Sequence, residues 1–204
     1  MSTLTGMPAP RVPRTIPGTV GSRRPAPGRT RWTWTALVGY VGVVVALTCL
    51  KSFYSIGLLW KPENQRTREL RLVPFGIIHD SSTTFGAAFD ILGNVAFFVP
   101  VGLLLMNITR RLWLTVGLAA AASVLIEVTQ YIFLLGRSDV TDVLCNTAGA
   151  LVGAVVSWLF LRGSSTLARR WAAVVTAVTL ATVVVFAVLV LLGPALGDPA
   201  EVAG

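Results

Sequence analysis

Five runs of apolar residues divide the chain, and polar segments separate them. Each run is about 20 residues long, which is the length that an α-helix needs to cross about 30 Å of hydrocarbon. The runs are apolar all round, as helices are when lipid or other apolar helices surround them. The pattern predicts five transmembrane helices, at residues 32–50, 87–108, 112–135, 140–161 and 171–192.

The composition supports this prediction. Hydrophobic residues make up 54% of the 204 residues and charged residues only 13%, with a mean hydropathy of +0.73, whereas soluble domains carry about 25% charged residues. We expect an all-α fold, a polytopic bundle of about five transmembrane helices at residues 32–192, in the cell membrane. Residues 1–31 and 193–204 are predicted to be flexible tails.

The basic residues predict the orientation of this bundle. Residues 1–31 contain six prolines, six arginines and no acid, a composition typical of disordered segments. Eleven Lys and Arg residues fall on the side of this tail and six on the other side, which predicts a cytoplasmic N-terminus. The net charge of +8 is not accompanied by zinc-ligand spacing or an aromatic-basic platform. Membrane lipids, and not nucleic acid, are therefore the expected partners.

Two local features qualify the helix pattern. Pro100 lies inside the second predicted helix, where it removes one backbone donor and is expected to introduce a kink. The segment 51–80 is too charged to lie in lipid, and a short interfacial helix is predicted at 63–72.

Polar residues at membrane depth form the candidate site. Such groups are expensive unless they are paired, and they often mark function. They recur here at helical spacings of three and four, which places neighbours on one helix face. With the N-terminus inside, all of them fall in the outer half, where we expect one polar cavity. The predicted ligand-binding residues are Asn94, Glu127, Gln130, Arg137, Asp139, Asp142 and Asn146.

A simpler structural role is open for some of these residues. Asp139 is placed to cap the fourth helix, whose N-terminus favours an acid, and Arg137 could be an interfacial charge. Glu127 lies well inside an apolar helix, so a polar network or a functional role is favoured there. Gly149 and Gly153 form a Gly-x-x-x-Gly strip that should face a neighbouring helix.

The sequence lacks recognisable motifs for disulfides, metal sites, nucleotide cofactors and nucleophilic catalysis. Cys49 and Cys145 both fall in apolar segments and are interpreted as packing residues, without a disulfide framework or metal spacing. No P-loop or dinucleotide-binding fingerprint is present, so no cofactor is expected. His79, the single histidine, lies next to no convincing nucleophile.

Four sequence pieces resemble the VanZ-like family, which is named for a glycopeptide (teicoplanin) resistance protein. They are Val73-Pro74-Phe75, residues 94–102, residues 126–130, and residues 137–142 with the Asn and Gly residues that follow, and together they cover about residues 73–160. The resemblance implies a small bacterial envelope protein linked to reduced susceptibility to lipid-bearing glycopeptides. It implies no catalytic mechanism.

The sequence leaves three functions open. The first is a non-transporting protein whose outer cavity binds a lipid-linked or surface headgroup, with Arg137 on a phosphate or carboxylate. The second is a membrane enzyme acting on a polyprenyl or phospholipid substrate, with Glu127 or Asp142 as general acid or base, or with Asp139 and Asp142 on a divalent cation. The third is a small transporter with Glu127 as a proton site. A transporter of this size would be expected to act as a homo-oligomer.

Overall fold

The structure is a computed structural model that describes residues 27–49, 68–76, 78 and 84–192. Five long helices and two short strands make up these ranges. In chain order they are α1 (Pro27–Cys49), β1 (Arg68–Arg71), α2 (Thr84–Thr109), α3 (Leu112–Phe133), β2 (Gly136–Asp139), α4 (Val140–Leu161) and α5 (Ser165–Leu192). All five helices are long and apolar enough to cross a membrane, so the predicted transmembrane bundle is confirmed.

The helix ends differ most from prediction where the helices leave the apolar zone. Helix α1 begins at Pro27, inside the segment predicted to be a tail, and α5 begins at Ser165 rather than at residue 171. Hydrophobicity marks the part of a helix that lies in lipid, and a helix can continue beyond it. At α5 the Ser164 hydroxyl accepts a hydrogen bond from the Leu167 amide at 3.2 Å, which caps the first turn. The α2 helix continues through Pro100.

The two strands were not predicted. They pair in parallel, with Arg68 opposite Gly136 and Arg71 opposite Asp139. The interfacial helix predicted at 63–72 is therefore wrong for residues 68–71, and residues 63–67 lie outside the described ranges. Four-residue strands carry too little periodicity to be recognised in a sequence. Their pairing satisfies backbone groups at the end of the bundle.

Helices α2 and α4 cross with their backbones in contact. A Cβ atom added at Gly149 would overlap the carbonyl oxygen of Val95, and one at Gly153 would overlap that of Val99. The prediction that both glycines face a neighbouring helix is confirmed. Gly102 of α2 faces α4 in the same way, since a Cβ atom added at Gly102 would overlap the carbonyl oxygen of Ala150. Three glycines therefore set the distance between these two helices.

A polar contact around Ser157 joins helices α2, α4 and α5. The Ser157 hydroxyl of α4 accepts hydrogen bonds from Asn107 Nδ2 of α2, at 3.1 Å, and from Trp171 Nε1 of α5, at 2.9 Å. The Trp171 ring stacks on Phe160 with a centroid separation of 3.9 Å. Trp171 thus lies inside α5 and ties it to α4.

The acids of the described ranges lie at one end of the bundle, whereas arginines lie at both ends. We call one end the strand end, because β1 and β2 lie there with the last turns of α1 and α3 and the first turns of α2 and α4. Every acid in the described ranges belongs to it. The opposite end, the arginine end, presents exposed arginines at positions 31, 110, 111, 162, 169 and 170. The larger number of arginines at this end agrees with its predicted position in the cytoplasm.

Reporter fusions test the orientation. An alkaline phosphatase fused after Gly204 is expected to be active, because five spans place the C-terminus outside when the N-terminus is inside. The same enzyme inserted at Gly163, in the α4–α5 link at the arginine end, should be inactive, while green fluorescent protein should fluoresce there. Fluorescence after Gly204 with no phosphatase activity would contradict the predicted topology.

Candidate functional site

Glu127 holds strand β2 against helix α3. Its side chain is buried, and its Oε2 accepts a hydrogen bond from the Asp139 backbone N–H at 2.9 Å. The Ser138 hydroxyl donates to the Glu127 carbonyl oxygen at 3.1 Å. The chain can return along α3 because Leu134 takes a left-handed conformation (φ 57°) and ends the helix. The turn thus brings positions twelve residues apart in sequence into contact.

Asp139 caps helix α4, as one of the sequence interpretations expected. Its Oδ1 accepts a hydrogen bond from the Thr141 N–H at 2.7 Å. The Thr141 hydroxyl in turn accepts from the Phe75 backbone N–H at 2.9 Å. The Val73-Pro74-Phe75 piece is therefore fastened to the start of α4. Strand β1 runs into this loop, and its register places Arg71 beside Asp139.

The other polar residues join helices in pairs. Asn94 Nδ2 of α2 donates to Asp142 Oδ1 of α4, and Asn146 Nδ2 of α4 donates to the Ser123 hydroxyl of α3 at 2.9 Å. Gln130 Nε2 donates to the carbonyl oxygen of Thr48, in the last turn of α1, at 3.0 Å. Four helices are thus linked at the strand end by side chains that the sequence predicted to form a site.

Two buried amide groups are only partly satisfied. Nothing in the described ranges donates a hydrogen bond to Oε1 of Gln130 or Oδ1 of Asn146. Both side chains are almost fully enclosed, with 6% and 3% of their surface exposed. A buried acceptor without a donor costs about 1–3 kcal/mol. An additional hydrogen-bond donor at either of these two oxygens would therefore stabilise the protein.

Exposure divides the predicted site residues into two groups. Glu127, Gln130, Asp139 and Asn146 are buried and build the framework; Arg137 is exposed, and Asn94 and Asp142 are half-buried. A ligand approaching from the membrane surface meets the second group first. Whether all seven line one cavity stays a prediction.

The chemistry available at the strand end follows from these contacts. The carboxylates of Glu127 and Asp139 accept hydrogen bonds from backbone amides, and Asp142 accepts one from an amide side chain. Within the described ranges no group of three His, Cys, Asp or Glu side chains is placed to hold a metal ion. The exposed Arg137 guanidinium is a planar donor suited to phosphate or carboxylate.

Three small hydroxyl residues complete this framework and were not among the predicted site residues. Ser123, Ser138 and Thr141 are buried partners of the predicted residues. Their types are common in apolar helices, so hydropathy alone does not distinguish them. Ser123 could have been identified from its spacing of four residues from Glu127, which places both on one helix face.

The fold and the site define a multi-pass α-helical membrane protein with its buried polar residues gathered at one end. The chain belongs to the VanZ/LLP1 family, which matches over residues 37–161. It is 31% identical to Protein VanZ of Enterococcus faecium over 116 residues, 56% of this chain and 66% of that protein. The match thus spans just under two thirds of the relative's length. No solved structure matches the chain.

Proposed function

We propose that the strand end faces outward from the cell membrane and binds the anionic headgroup of a lipid or lipid-linked envelope precursor. Binding would change susceptibility to glycopeptides that carry a lipid tail, as resemblance to the VanZ-like family suggests. The protein would act by retention of the headgroup, without transport. The observation that carries this proposal is the buried Glu127 carboxylate bonded to the backbone of β2, the strand that presents Arg137.

The buried Glu127 carboxylate needs compensating hydrogen bonds. A charged or polar group inside a bilayer costs several kcal/mol unless it is compensated. Here Glu127 meets a backbone amide of β2, and Ser138 adds a second hydrogen bond to the same helix. Two bonds thus fix the backbone on the C-terminal side of Arg137. Fixing the backbone reduces the conformational entropy that the arginine loses when it binds.

The neighbouring groups suit the rest of a headgroup. A guanidinium binds phosphate or carboxylate through two parallel hydrogen bonds. Asn94, in the third turn of α2, and Asp142, in the first turn of α4, are half-buried. Their amide and carboxylate oxygens can accept hydrogen bonds from hydroxyl or N–H groups. A phosphate attached to a sugar or an amide-bearing group would match this set of donors and acceptors.

Arg137→Gln tests the proposal in cells. The change is expected to abolish the effect of the protein on susceptibility to a lipoglycopeptide, because glutamine carries no charge for the phosphate. Arg137 is exposed, and a contact of an exposed charged side chain contributes about 0–1 kcal/mol, so the Tm should change little. Susceptibility is measured as the minimum inhibitory concentration in a deletion strain that expresses each variant at equal level.

Arg110→Gln is the matched control. It removes the same charge from an exposed arginine at the opposite end of the bundle and should retain full function. Equal loss of function in both variants would show that net charge, and not the strand end, is responsible.

A further inference from the structure

A groove opens between α1 and α5 on the half of the bundle nearest the arginine end. Its volume is about 250 Å³, just below the range of roughly 300–1,000 Å³ that holds a drug-sized ligand. It is lined by Trp32, Thr33, Ala172, Ala173, Thr176, Ala177 and Leu180. Ala173 and Ala177 are exposed at the surface, so the groove is accessible from the lipid side.

The lining is apolar because its two threonines bond to each other. The hydroxyls of Thr33 and Thr176 are 3.2 Å apart and hydrogen-bonded, and both side chains are buried. The remaining surface consists of alanine and leucine side chains and the Trp32 ring. Such a groove suits a flexible hydrocarbon chain and offers little to a polar ligand.

Two exposed arginines lie near the end of the groove in sequence. Arg169 precedes Ala172 by three residues and Ala173 by four, so it lies on the same face of α5 one turn nearer the end. Arg31 directly precedes Trp32 on α1, and both arginines are exposed. The described ranges place no acid at this end. This end of the groove is therefore positively charged.

The length of α5 puts Arg169 at headgroup level. The helix has 28 residues and is thus about 42 Å long, which exceeds the roughly 30 Å of hydrocarbon. Its first turns extend into the interface, where long basic side chains reach toward phosphates. The groove begins one turn deeper, at the level of the acyl chains.

We propose that this groove binds one acyl chain of an anionic phospholipid whose phosphate contacts Arg169 and Arg31. A zwitterionic lipid would bring its own cation close to the same arginines, whereas an anionic lipid has only negative charge there. The site lies at the opposite end from the proposed headgroup site and does not depend on it.

Native mass spectrometry of the purified full chain tests this proposal. The protein in detergent is titrated with dioleoylphosphatidylglycerol or dioleoylphosphatidylcholine, and the bound fraction is counted. Phosphatidylglycerol is expected to bind more tightly. Arg169→Gln should weaken its binding about fivefold, the effect of one basic residue near an anionic lipid. Ala173→Leu should displace both lipids, because the new side chain fills the groove.

Arg111→Gln is the control, since it removes an exposed arginine from the same end on another helix. It should bind phosphatidylglycerol as the wild type does. Equal binding of the two lipids, or an equal loss in Arg111→Gln and Arg169→Gln, would overturn the proposal. A wild-type dimer that Ala173→Leu converts to monomer without loss of lipid would also overturn it, because the groove would then hold a second copy of the chain.

Discussion

Replacing Gly153 by leucine is expected to destabilise the bundle strongly. A Cβ at this position would overlap the Val99 carbonyl oxygen and approach the Leu103 nitrogen to 2.9 Å. These are backbone atoms of α2, which no side-chain rotation can move aside. The two helices must separate, which also opens the neighbouring contact of Gly149. Overpacking of a core costs about 1–3 kcal/mol, and backbone contact places this change at or above the upper end.

Thermal unfolding in detergent measures the effect. About 3 kcal/mol corresponds to a fall of roughly 6–12 °C in Tm for a chain of this size. Gly117→Leu is the matched control, because Gly117 is exposed on α3 and nothing lies within 4 Å of the position that a Cβ atom would take there. It should melt with the wild type or slightly above, since leucine favours helix. If Gly153→Leu also melts with the wild type, the close crossing of α2 and α4 is wrong.

Glu127→Ala is expected to abolish function and to loosen strand β2. Without the carboxylate, the buried Asp139 N–H has lost its partner, at a cost of about 1–3 kcal/mol. The loss of this contact with the strand adds a loss of stability to the loss of function. Tm and lipoglycopeptide susceptibility should both change.

Glu127→Gln distinguishes positioning from chemistry. Glutamine has nearly the same size and presents a carbonyl oxygen to the Asp139 amide, so it is expected to retain the strand, the Tm and most of the function. A variant that folds normally and has no function would show that the carboxylate charge acts directly, as the enzyme alternative requires. Asp142→Ala serves as a companion. It should abolish function, and it should also lower the Tm modestly because Asn94 loses its hydrogen-bond acceptor on α4.

The transmembrane helices and the glycine strip could be predicted from the sequence because their signals are long or repeated. Runs of about 20 apolar residues with few charges are typical of helices that span a bilayer. The spacing of Gly149 and Gly153 identifies a helix face directly. Only the identity of the partner helix, α2, needed the structure.

The strand end could be predicted as a set of residues and not as an arrangement. Glu127 and Asp139 were both predicted to belong to it, but their contact depends on a left-handed turn at Leu134. Leucine rarely adopts that conformation and gives no sequence signal for it. Equally, the pairing of Arg71 with Asp139 in register joins segments that are 68 residues apart. Long-range pairing of this kind is invisible to local patterns.

The orientation of the bundle could also be predicted from the sequence. The Lys and Arg residues in the short loops assign the two sides of the bundle without reference to any contact. The acids do not enter that count, yet within the described ranges they all lie at the strand end. The outward orientation on which the proposed function depends therefore stays a prediction from the Lys and Arg count.

Headgroup binding by the purified protein tests the central claim most directly. Wild type, Arg137→Gln and Arg110→Gln are placed in nanodiscs of phosphatidylcholine that contain a labelled polyprenyl diphosphate, and the label retained by each protein is measured together with any converted product. The wild type and Arg110→Gln are expected to retain the labelled lipid and to form no product. Arg137→Gln should retain it about tenfold less or weaker still, since a hydrogen bond to a charged group contributes roughly 1.5–3 kcal/mol. Equal retention by all three proteins, or turnover above one product per protein, would contradict it.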